Sequence, residues 1–162
     1  MSSYHRLYLP GHTYFFTVVA SGRQPVFRQE MVRGALRSAF AHVRSGLAFS
    51  IPGFVLLPDH LHTIWTLPEG DSDYSTRWRL IKTRVTQACG ARIWQPRYWE
   101  HAIRDDADLH KHLDYIHWNP VKHGIVASVR DWPWSSFHRY VKFGAYPADW
   151  CAGRGLDEIN LE

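Results

Sequence analysis

Apolar and polar positions along this chain alternate between the period of a strand and the period of a helix. Residues 13–20 (Thr-Tyr-Phe-Phe-Thr-Val-Val-Ala) are dense in β-branched and aromatic side chains and stop at Ser21-Gly22, which predicts a first strand. From Glu30 onward apolar residues fall at Val32, Ala35, Leu36, Ala39, Phe40 and Val43, the spacing of an amphipathic helix that Gly46 is placed to close. A second strand is expected over 49–57, irregular at Pro52-Gly53 because proline cannot donate to a ladder. Pro58-Asp59 then turns the chain into a third strand over 60–67, making an antiparallel hairpin.

Asp71-Ser72-Asp73 offers N-caps for a second helix, in which Tyr74, Trp78, Ile81, Val85 and Ala88 recur at steps of four and three before Gly90. Residues 91–104 form a strand or a pair of extended pieces interrupted at Pro96. A third helix begins at Asp105-Asp106 on the core line Leu109, Leu113, Ile116, and Pro120 is expected to finish it at Asn119. Trp132-Pro133-Trp134-Ser135-Ser136 is either an arm docked on the domain or part of a nucleic-acid surface. The elements alternate as in an α/β (α+β) domain, assigned to residues 1–145, and residues 146–162 are taken as a tail.

With 162 residues, 45% hydrophobic and 21% charged, the chain suits one globular domain. A net charge of +4 coincides with 15% aromatics, including eight Trp, so cations and stacking surfaces occur together as on nucleic-acid-binding proteins. Between residues 72 and 104, seven Lys and Arg face only Asp73 and Glu100. Arg77, Arg79, Lys82 and Arg84 thus form a solvated helix face or a phosphate-binding one, and Arg97, Trp99 and Arg104 fit single-strand contacts or buried aromatic packing. Cys89 and Cys151 are far apart, which excludes a cysteine zinc motif and suits a reducing cytoplasm. No apolar run approaches a membrane span.

The candidate chemistry begins at His60 and His62, which leave the same face of a strand and can share a divalent metal. Eleven histidines make such a spacing common, and His110 and His112 repeat it. On a helix, however, those two point about 200° apart and cannot chelate. The same wheel gathers Asp108, His112, Tyr115 and Asn119 on one flank, with Tyr115 and Asn119 one turn apart. A metal at a His/His/amide site would polarise a phosphodiester. Attack by the tyrosine would leave a covalent phosphotyrosine that conserves the energy of the broken bond.

These residues resemble the HUH (His-hydrophobic-His) single-strand tyrosine transposases, more narrowly the group associated with repetitive extragenic palindromes (REP). The likeness rests on Pro58-Asp59-His60-Leu61-His62, Arg77-Trp78-Arg79-Leu80-Ile81-Lys82, Tyr115-Ile116-His117-Trp118-Asn119-Pro120-Val121-Lys122-His123-Gly124 and Trp132-Pro133-Trp134-Ser135-Ser136. It implies a ferredoxin-like antiparallel sheet with helices packed on one face and the site at the sheet's edge. It also implies Tyr115 as the nucleophile toward single-stranded DNA hairpins with a flanking guide sequence, giving a 5′-phosphotyrosine. Mg²⁺ or Mn²⁺ would sit on His60 and His62, completed by Asn119. Asp108 and His112 would support the site from behind, with Lys122 among the DNA contacts. A monomer is expected, although the wider family includes homodimers. Two alternatives remain: a metal-dependent phosphodiesterase that uses water, and a DNA or RNA hairpin-binding regulator without turnover.

Overall fold

A computed structural model describes residues 5–151. Among them β1 (Thr13–Val19), α1 (Glu30–Gly46), β2 (Ser50–Leu56), β3 (His60–Thr66), α2 (Tyr74–Cys89), β4 (Trp99–Ala102), α3 (Asp106–Lys122) and α4 (Phe137–Lys142) follow in chain order. The strands pair antiparallel in the order β2-β3-β1-β4. That order, with α1 and α2 as the connections, is the ferredoxin-like arrangement. The irregularity expected at Pro52-Gly53 is a register shift between Ser50 and Gly53.

Strand alternation divides the core into two layers. Tyr14, Phe16, Val18, Leu61 and Trp65 face α1 and α2, meeting Leu36, Phe40, Trp78, Ile81 and Val85. Phe15, Val55 and Ile64 face the other way and meet Leu113, Tyr115 and Ile116 of α3. The helices expected on one face are therefore α1 and α2, and α3 covers the opposite face. Because His60 and His62 share the parity of Ile64, they point at α3. β3 lies between β1 and β2, so the site is on the face of the inner strands, which corrects the expectation of a sheet edge.

Helix α3 also runs past its expected end, through Pro120 to Lys122. A proline removes one donor, yet the turn beyond it is held by His123 N–H donating to Asn119 O at 3.0 Å and Ile125 N–H donating to Pro120 O at 3.0 Å. Trp118, Asn119 and Pro120 are all buried, so packing keeps the helical geometry that the local preference disfavours. The Trp-Pro-Trp segment docks on β2. Leu56 N–H donates to Trp134 O (2.9 Å), Ser136 N–H to Phe54 O (2.8 Å), and Trp132 Nε1–H to Leu56 O (2.9 Å). Of the expected tail, Tyr146 packs against His117, Phe137 and Tyr140, and residues 152–162 lie outside the described residues.

Candidate active site

The first turn of β3 is fastened from both sides. His60 sits opposite Val19 and His62 opposite Thr17 in the β1 ladder. The His60 Nδ1 lies 2.6 Å from Asp59 Oδ1, and the His62 Nδ1 lies 2.8 Å from Thr17 Oγ1. With Nδ1–H donating to these oxygens, each imidazole keeps its lone pair on Nε2, the orientation a metal-binding histidine takes from a second hydrogen bond. The His62 Nε2 is buried with no hydrogen-bond partner. Burial holds the His62 imidazole far below its ordinary pKa, and the charges of His60, His123, Lys122 and Arg23 push the same way. It is thus neutral and able to act as a ligand. Burial would raise Asp59, but the hydrogen bond and charge of His60, with Arg23 beside them, bring its carboxyl below the usual range.

α3 delivers the remaining groups. Tyr115 is 1% exposed and its ring lies 5.2 Å from that of His62. One turn on, Asn119 is fully buried, and neither its Oδ1 nor its Nδ2 finds a hydrogen-bond partner. Leaving a buried amide unpaired costs about 1–3 kcal/mol for each unsatisfied group, and a cation ligated by the oxygen would offset that. The Lys122 Nζ stands 3.4 Å from the Tyr115 hydroxyl oxygen and 4.8 Å from the ring centroid. His123, at the helix end, has its ring 5.2 Å from that of His60. The site links His60, His62, Tyr115 and Lys122 through these contacts, with Asn119 one turn beyond Tyr115 on α3. It adds Thr17, Asp59 and His123, which sequence reasoning missed. His123 stood inside the quoted Tyr115–Gly124 block, and ending the helix at Asn119 removed it from view.

Asp108 and His112 do not stand behind the histidine pair. Phe15 intervenes, its ring 5.5 Å from His62 and 4.8 Å from His112. Asp108 Oδ2 instead accepts from Arg104 N–H (2.9 Å) and lies 2.8 Å from His101 Nε2. His112 Nδ1 is 2.7 Å from the Asp108 carbonyl oxygen. Burial holds His112 below its ordinary pKa. The ligand atoms of His101, Asp108 and His112 lie within 4.8 Å of one another, a second grouping that could hold a metal ion. Unlike those of His62 and Asn119, these donors and acceptors already satisfy each other.

The cations expected to touch DNA divide. Arg77 is 1% exposed, and its guanidinium donates to Asp71, Asp73 O, Leu47 O and Ala48 O. It ties α2 to the loop after α1, so it is not a DNA contact. Lys82 spends its ammonium on Gln95 O at 2.8 Å, and burial lowers its pKa. Arg77 was misread because the helical wheel shows which flank a residue takes, not what the neighbouring loop places there. Arg79, Arg84, Arg97 and Arg104 are exposed. Trp99 is 51% exposed and lies opposite Thr17 in the sheet, on the face that carries His62.

No family model matches the chain. It is 52% identical over 151 residues to the REP-associated tyrosine transposase of Escherichia coli (strain K12), covering 93% of this chain and 91% of that protein. It is 42% identical over 165 residues to a protein of Haemophilus influenzae provisionally given the same description, with 93% of each covered. Among solved structures it resembles a REP-associated tyrosine transposase bound to a REP hairpin, with a TM-score of 0.86, 50% identity and 96% of each chain covered.

Proposed function

The chain belongs to the REP-associated tyrosine transposases, and on that footing we propose that it cleaves and rejoins single-stranded DNA beside hairpin repeats, using Tyr115 as the nucleophile. His60, His62 and Asn119 would hold Mg²⁺ or Mn²⁺. The observation that carries this is a buried, neutral His62 Nε2 beside the Tyr115 ring, with an unpaired Asn119 amide one turn further along the same helix. Two imidazoles and one amide oxygen leave coordination positions for phosphate and water, which suits an octahedral ion. The satisfied donors of His101, Asp108 and His112 favour a structural role for that cluster.

When bound, the metal supplies charge stabilisation to the phosphate as its bond breaks. The protein's own groups do the rest. Asp59 and Thr17 fix the two histidine rings, so that the site needs no rearrangement at the moment of reaction. The Lys122 ammonium, 3.4 Å from the Tyr115 oxygen, is placed to orient the phenol and to meet the charge that passes to the phosphate during attack, as the phenolic proton leaves to solvent. The Tyr115 Oη–phosphorus bond forms, the phosphorus–O3′ bond breaks, and the 3′ oxygen takes a proton. A 5′-phosphotyrosine and a free 3′-hydroxyl result. Rejoining is the reverse attack. Exposed Trp99 offers a stacking surface for a base, and Arg79, Arg84, Arg97 and Arg104 offer charge to phosphates. A DNA substrate of this kind would be met in the cytoplasm, where we expect the protein to act; among the described residues no helix is long and apolar enough to cross a membrane.

The test mixes the protein with the single-stranded hairpin repeats flanking its gene in Mn²⁺. A denaturation-resistant protein–DNA adduct is expected in wild type and absent in Tyr115→Phe, which still binds the hairpin. Cleavage without an adduct would instead favour attack by water, and binding without cleavage would favour a regulator.

A further inference from the structure

Next to the histidine pair the surface opens into a cleft of about 450 Å³ whose walls include Arg23, Arg28, Asp59, His60 and His123. The cleft is built rather than incidental. Ala20 N–H donates to Asp59 O at 2.8 Å and Phe27 N–H to Pro58 O at 3.0 Å, which fastens the segment between β1 and α1 to the turn before β3. Within that segment Arg23 holds φ at 51°, a left-handed conformation uncommon for any residue but glycine. Its guanidinium lies 3.5 Å from Asp59. Asp59, the acidic member of the wall, is thus engaged by both His60 and Arg23. The Arg28 guanidinium is exposed and has no hydrogen-bond or ion-pair partner among the described residues. The lining is cationic and matches a phosphate.

Its position gives that phosphate an identity. Tyr115 packs on His62, His62 neighbours His60 at 4.9 Å between ring centroids, and His60 neighbours His123 in the cleft. In-line displacement puts the nucleophile and the departing oxygen on opposite sides of phosphorus. The cleft is lined by His60 and His123 but not by Tyr115, so a phosphate seated there is a neighbour of the attacked one and not the attacked one itself. We propose that this cleft is the seat of the leaving strand. It takes the phosphate one nucleotide upstream of the cleaved bond and keeps the new 3′-hydroxyl end in place until it attacks the phosphotyrosine. The inference rests on the assignment of Tyr115 as nucleophile. Its function is retention: a strand held beside the adduct is present at a high effective concentration, whereas a released one is lost to solution.

The experiment uses full-length protein, Mn²⁺ and a single-stranded hairpin labelled on the strand that ends in the 3′-hydroxyl. One version of the DNA carries a neutral methylphosphonate at the upstream phosphate. In wild type the methylphosphonate should speed release of the labelled fragment roughly tenfold, the effect of losing one charge-assisted contact, and raise the adduct plateau because rejoining fails. Arg28→Ala should release the unmodified fragment just as fast and gain nothing further from the methylphosphonate. If Arg28→Ala retains the fragment like wild type, or the two changes act independently, the cleft is not the seat. Binding of intact DNA to Tyr115→Phe, with and without the methylphosphonate, reads the cleft without any cleavage. No adduct in wild type would count against Tyr115 as nucleophile, and equal binding of both DNAs would overturn the cleft.

Discussion

At the scale of single residues, the candidate site depends on groups that orient the ligands. Thr17 donates nothing to chemistry directly, yet its hydroxyl fixes the His62 ring at 2.8 Å. Thr17→Val keeps the β-branched shape and removes that hydrogen bond. The metal concentration needed for half-maximal adduct formation should rise about 10–100-fold, the usual loss when such an orienting contact goes. Titration of Mn²⁺ against adduct yield checks it, and an unchanged requirement would show that Thr17 does not orient a ligand. His60, His62, Tyr115 and Asn119 were legible in the sequence because spacing on a strand and on a helix translates into shared faces. Thr17, Arg23 and His123 were not, since cross-strand register and the path of a helix past proline arise only from packing. Arg77 shows the opposite error. Its charge suggested DNA, but Asp71 and three backbone carbonyls surround it.

At the scale of elements, α3 is placed by its approach to β2. A Cβ built on Gly53 would stand 2.9 Å from Leu113 Cδ2, 3.2 Å from Ile116 Cδ1 and 3.3 Å from Ile64 Cδ1. The glycine that looked like a strand irregularity is therefore a close-approach position. Gly53→Val should cost about 1–3 kcal/mol through overpacking and slow adduct formation, because the helix that carries the nucleophile must shift. Urea unfolding together with single-turnover adduct kinetics tests both halves. Strand and helix positions were readable because apolar spacing sets them over ten or more residues. The end of α3 was not, because one buried turn outweighed the preference around Pro120.

At the scale of the molecule, Tyr115 packs against His62 of its own chain, so one copy contains the whole candidate site. Mixing Tyr115→Phe with His60→Ala protein should leave the DNA uncut, whereas a pair exchanging helices would recover activity in the mixture. Stability should also depend on pH in a defined direction. Burial lowers His117 to about 3, with Arg139 and His138 adding to the shift. An unfolded histidine binds its proton near pH 6.5, so between about pH 6.5 and 3 the unfolded chain carries the extra proton. Stability is then fully present above that window and is lost as pH falls through it, by up to about 1.4 kcal/mol per unit from this group. Urea midpoints for wild type and His117→Gln across pH 7 to 5 should show a shallower slope in the variant. The crowding at Gly53 bears on motion as well as on fold. Leu113 and Ile116, the side chains pressed against it, bracket Tyr115 along the helix. Close packing on both sides of the phenol resists displacement of the turn that carries it, where misplacement by an ångström would cost about a hundredfold in rate.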